Sequence, residues 1–97
     1  MALLKELDEN ITVVTSTYVV NEAMPILYVS NDNDDEGGSI WQFHCGNGDY
    51  DMKKMLLVKL GTVLKIDSGL VNLELGIGEE AKRESTSSNW IKTKQVL

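Results

Sequence analysis

One cysteine, one histidine and one proline are all that this chain of 97 residues holds of those types, and a single phenylalanine joins two tryptophans and three tyrosines. Cys45 alone cannot close an internal disulfide, which suits a reducing compartment. With one thiol and one imidazole, a structural zinc site of the usual cysteine and histidine ligands cannot be built within one chain. No apolar run approaches the roughly 18 to 20 residues that span a bilayer, and the opening Met1 to Asp8 lacks the leader of a secretory signal. A cytoplasmic protein is therefore expected, in which the sequon Asn10-Ile11-Thr12 carries no glycan.

Basic charge is scarce in one half only. Ten acids against Lys5 give residues 1–51 a balance of −9, and five acids against eight bases give residues 52–97 a balance of +3, for the net −6. An acidic surface of this kind repels phosphate backbones and attracts basic proteins, so no nucleic-acid partner is expected. A composition of 42% hydrophobic and 25% charged residues is that of one ordinary folded domain covering residues 1–97.

Ile11 to Val20 mixes β-branched, apolar and hydroxyl residues without glycine or proline and reads as a strand, which Asn21 to Pro25 interrupts. Ile26 to Ser30 and Ile40 to Cys45 read as two further strands joined across the polar stretch Asn31 to Gly38 into a hairpin. Period-2 alternation then sends Trp41, Phe43 and Cys45 to a core face and Ile40, Gln42 and His44 to the opposite one, with His44 half-exposed. Met55 to Val58 reads as a buried strand, Leu60, Val63 and Leu64 fall at helical spacing, and a second short helix is expected from Asp67 or Ser68 to Gly76. One or two late strands complete the chain between Glu79 and Lys94. The expected fold class is α+β: a mixed, mainly antiparallel sheet with one or two short helices packed on one side.

The candidate motifs fail as chemistry. Asp32-Asn33-Asp34-Asp35-Glu36-Gly37 begins like a calcium loop, but its twelfth position is Phe43 where a bidentate carboxylate is needed. Gly76-Ile77-Gly78-Glu79-Glu80-Ala81 has dinucleotide-fingerprint spacing, yet two glutamates would face the phosphates and sixteen residues are too few for the rest of the unit. His44 and Cys45 are strand neighbours on opposite faces and cannot form a thiolate and base pair together. The hydroxyls of Ser85, Ser87 and Ser88 near Lys82 and Arg83 show no activating arrangement, and Asp49 with Asp51, or Glu79 with Glu80, could pair for acid/base work, although acids this close in an acidic protein are usually solvated. A non-enzymatic binding protein without cofactor or metal is expected.

The run Gly38 to Gly46, then Leu60 to Asp67 with Leu70, then Gly78 to Arg83 before Trp90, resembles a family of small bacterial proteins, immunity protein family thirty-three of polymorphic toxin systems. The resemblance covers residues 14–91 and departs from the family's pattern at Ser68-Gly69 and Gly76-Ile77. It implies a protein that neutralises a cognate toxin by direct contact. Together with the charge asymmetry it points to Asp32, Asp34, Asp35 and Glu36, with Asp49 and Asp51, as the partner-binding surface. The competing expectation is an accessory ligand-binding or regulatory domain with Gln42 and His44 lining a pocket.

Overall fold

The computed structural model describes residues 2–33, 36, 38–49 and 51–94. Its centre is a six-stranded sheet of β2 (Thr12–Ser16), β3 (Tyr28–Asn33), β4 (Ser39–His44), β5 (Met55–Lys59), β7 (Glu79–Lys82) and β8 (Ile91–Lys94). The spatial order is β5-β2-β4-β3-β7-β8, with every neighbouring pair antiparallel except β2 and β4. A separate two-stranded ladder joins β1 (Ala2–Leu3) to β6 (Glu74–Leu75). Two short α-helices, α1 (Thr17–Val20) and α2 (Leu60–Ile66), complete an α+β fold with a mixed, mostly antiparallel sheet. No helix among the described residues is long and apolar enough to cross a membrane.

Register sets one face of the sheet. Val29 pairs with Phe43 and Ala81, Asn31 pairs with Trp41, and Val13 pairs with Val58, so these side chains point the same way. Against them pack Val19 of α1, Leu60, Val63 and Leu64 of α2, and Leu4, Leu70, Leu73 and Leu75, all buried in one cluster. Leu60, Val63 and Leu64 lie on one stripe of α2, which explains why so short a segment is helical: packing supplies what length does not. Glycine at 61 fits this packing, because a Cβ there would meet the Glu9 Cβ at 3.4 Å while the Gly61 amide donates to the Glu9 carbonyl at 2.9 Å.

Several elements depart from the sequence reading. The run Ile11 to Val20 divides at Ser16, where pairing with β5 stops, and Thr17 to Val20 turns into α1 so that Val19 reaches the core. Tertiary burial here overrides β propensity. The second strand begins two residues late and continues through Asn33, because Asp32 and Asn33 still find partners in Ile40 and Ser39. Met55 to Val58 is a strand, but it forms an edge of the six-stranded sheet with Leu57 71% exposed, since only one side of it meets β2. The expected second helix is a 3-10 turn over Ser68–Asn72 followed by β6. Both late strands are present.

Arg83, just beyond β7, closes the molecule. Its guanidinium donates through Nε and Nη2 to the Ile26 carbonyl at 3.0 and 2.8 Å and through Nη2 to Asp67 Oδ2 at 2.6 Å, while stacking 4.2 Å from the Trp90 ring. The other oxygen of Asp67 accepts the Gly69 amide at 3.1 Å and starts the 3-10 turn. The Arg83 side chain is 6% exposed and that of Asp67 22%, so the pair is largely desolvated. Arg83→Met is expected to cost about 3 kcal/mol by leaving a shielded carboxylate and carbonyl uncompensated, and Asp67→Asn, which keeps an acceptor, only about 1 kcal/mol. Urea unfolding of the two variants measures the difference.

Candidate functional site

The sheet face away from the helices carries a connected set of polar groups. Tyr28, Ser30 and Asp32 of β3 lie beside His44, Gln42 and Ile40 of β4, and Lys82 and Glu80 of β7 flank Tyr28 and Ser30. Asp32 Oδ2 accepts from Ser30 Oγ at 2.8 Å and from Gln42 Nε2 at 2.7 Å. A carboxylate accepts only, so the Gln42 amide must turn its nitrogen to Asp32 and its oxygen to His44. His44 Nε2, 2.9 Å from Gln42 Oε1, is therefore the donor, which fixes the imidazole tautomer. Tyr28 donates its hydroxyl to Glu80 Oε2 at 2.6 Å, and its ring lies 6.2 Å from the imidazole. Burial, aided by the bond to Glu80, pushes the Tyr28 phenol well above its usual range.

His44 is not half-exposed as its alternation suggests; it is 3% exposed, walled in by neighbours on its own face. Burial lowers its pKa, and the Asp32 carboxylate partly offsets that effect. In this conformation the ring is out of reach of a substrate and acts as a fixed neutral hydrogen-bonding group. Extending the parallel Val14 and Gln42 register by two residues sets Ser16 beside it, and the buried Ser16 hydroxyl has no hydrogen-bond partner.

The remaining candidates separate. Cys45 is buried and lines a cleft of about 280 Å³ with Leu27, Gly46 and Lys82. Glu79 and Glu80 face opposite sides of β7: Glu79 accepts the Gly76 amide and Glu80 holds Tyr28. Ser85 hydrogen-bonds to Ser87 and Ser88. Among the described residues no group of three or more histidine, cysteine or acidic side chains is placed to hold a metal ion.

Of the six acids proposed as a partner surface, Asp34 and Asp35 lie outside the described residues. The other four fall at two ends of the sheet. Asp32 and Glu36 sit where β3 runs into β4, whereas Asp49 and Asp51 follow the far end of β4. The hairpin between these ends has five residue steps, about 17 Å at about 3.4 Å per step. Asp49 and Asp51 also have local duties. Asp49 accepts from Tyr18 and Lys54 at 2.5 and 3.0 Å and is held down to about 2, chiefly by the Tyr18 hydroxyl, while Asp51 accepts the Lys53 amide at 3.0 Å to start a 3-10 turn.

The parallel pairing of β2 with β4 brings other acids to the Asp32 end. Because the two strands start at the same end, the loop carrying Asp8 and Glu9 before β2 lies at the end of the sheet where β4 begins, with Glu9 against Gly61 of α2, and Glu79 enters at the start of β7 opposite Asn31. Sequence reasoning counted these acids in the charge balance without joining them, since some seventy residues separate Asp8 from Glu79. At the same end Leu7, Asn31, Trp41, Leu75, Gly76 and Ile77 line a cleft of about 240 Å³.

No protein-family model matches the chain, and no curated protein or solved structure matches it either.

Two outcomes follow from the open face. The folded pKa of His44 lies below its unfolded value of 6.5, so the stability this neutral ring contributes is present above pH 6.5 and is lost as pH falls below it. Urea titrations at about pH 7 and about pH 5 should show a loss of stability in the parent chain that is smaller in His44→Gln. Ser16→Ala removes a hydroxyl with no partner and is expected to be neutral or to stabilise by up to about 1 kcal/mol, read from thermal unfolding.

Proposed function

We propose that this chain is a protein-binding module of the immunity type, which neutralises a basic toxin by covering it with the acidic end of its sheet. The observation that carries this reading is that Asp8 and Glu9, in the loop before β2, fall at the same end of the sheet as Asp32 of β3 and Glu36. Exposed carboxylates such as those of Asp8, Glu9 and Glu36 over a fixed scaffold steer a basic partner into register and raise its association rate. The sequence resemblance to immunity family thirty-three supports the same reading, with a cytoplasmic place of action. Asp49 and Asp51, at the other end of the sheet, contribute less.

The partner is obtained by co-purification with the tagged chain from its native cell. Replacing Asp8, Glu9 and Glu36 together by their amides should slow association about tenfold or more at low ionic strength and flatten its salt dependence, with little change in dissociation. Asp49→Asn with Asp51→Asn should leave the association rate near that of the parent. Stopped-flow or surface-based kinetics at two salt concentrations make the comparison, and an equal loss from both sets sinks the assignment of the acidic end.

A further inference from the structure

Strand β5 ends the six-stranded sheet, and among the described residues it pairs only with β2. The Leu60 amide donates to the Ile11 carbonyl, continuing the register of Val58 with Val13 and Leu56 with Thr15. Hydrogen-bonded pairs alternate along an antiparallel ladder, so Leu56 and Val58 bond to β2 while Met55, Leu57 and Lys59 turn their amides and carbonyls to the free edge. Two of these groups are already taken. The Met55 amide donates to the Met52 carbonyl, and Lys59 is the N-cap residue of α2, so its carbonyl accepts from the first helical turn. The Leu57 amide and carbonyl, the Met55 carbonyl and the Lys59 amide are left facing outward. Side chains leave this edge open as well. Edge strands are commonly blunted by lysine, proline or a bulge, and β8 at the opposite edge carries Lys92 and Lys94. β5 instead opens with the apolar run Met55 to Val58, in which Leu57 is 71% exposed.

We propose that β5 pairs antiparallel with β5 of a second copy of this chain, about a two-fold axis at Leu57, to form one continuous sheet. In that register Leu57 stands opposite Leu57, Met55 opposite Lys59 and Leu56 opposite Val58. Each Leu57 amide donates to the other Leu57 carbonyl and each Lys59 amide to the opposite Met55 carbonyl, which uses every outward group. The two engaged groups, the Met55 amide and the Lys59 carbonyl, fall opposite each other, so the ladder leaves no orphan. A strand of unrelated sequence has no reason to lack a donor and an acceptor at those positions, whereas a second copy does so by symmetry. The Leu57 side chains cover one another on the open face, and the half-buried Leu56 and Val58 meet on the helix face. Lys59 comes to the end where residues 49–54 of the other copy hold two acids and two bases, so it meets no net like charge. So short an edge buries less than the roughly 800 Å² per partner of a standard interface, and the dimer is half formed at on the order of 100 µM. Asp8, Glu9, Asp32 and Glu36 take no part in this ladder, so its failure leaves the proposed partner surface standing.

Sedimentation velocity of the full chain between about 5 µM and about 1 mM should show the mass rising from one chain toward two. Over the same range, hydrogen exchange of the Leu57 and Lys59 amides should slow severalfold with concentration, while Leu56 and Val58, already bonded to β2, change little. Leu57→Pro removes the outward amide at an edge position that tolerates proline, and Leu57→Lys sets two like charges at the axis; each should weaken association about tenfold or more. Ile91→Lys, at a residue 68% exposed on the opposite edge, should leave association unchanged. If Leu57→Pro does not fold, Leu57→Lys carries the comparison. A chain still monomeric at about 1 mM, association that survives Leu57→Lys or is lost in Ile91→Lys, or Leu57 and Lys59 amides protected only by a different protein from the native cell overturns the pairing.

Discussion

Arg83 is the contact on which the architecture hangs. A six-stranded sheet with two short helices has few covalent or metallic aids, and Cys45 closes no bridge among the described residues. One guanidinium joins the loop before β3, the segment after α2, the end of β7 and the Trp90 region before β8. By holding the Ile26 carbonyl it also holds the buried Ile26 side chain in the core. Removing one member of such a desolvated set leaves the others shielded from water and without compensation, which is why its weight exceeds that of the Lys82 and Glu80 pair, 3.9 Å apart with the lysine in solvent.

The two faces of the sheet divide the work. Toward the helices, Val13, Val29, Trp41, Phe43 and Ala81 supply burial. On the other face, Asp32, Gln42 and His44 form a chain whose donor and acceptor directions are dictated from the carboxylate end, since Asp32 can only accept. That order makes the hairpin a stiff platform. It also explains a buried histidine outside the core: the imidazole is neutral, oriented by Gln42 and covered at its flank by the Tyr28 ring.

Function is proposed at the end of that platform and not on either face. The parallel neighbour relation of β2 and β4 carries the loop with Asp8 and Glu9 to the end where Asp32 and Glu36 emerge, and the start of β7 adds Glu79.

From sequence alone came the class of fold, the hairpin of β3 and β4, the inward set Trp41, Phe43 and Cys45, the helix of Leu60, Val63 and Leu64, and the late strands. These are local properties: alternation and helical spacing act over a few residues. The turn of α1, the edge placement of β5, the burial of His44 and the 3-10 form of Ser68–Asn72 were decided by tertiary contacts, because each depends on what stands opposite in space. The charge count located acidity in the first half of the chain, but strand order alone decided that Asp32 and Glu36 share an end with Asp8, Glu9 and Glu79 and lie a hairpin's length from Asp49 and Asp51. A net charge is a sum over the chain, whereas a surface is set by pairing between strands distant in sequence.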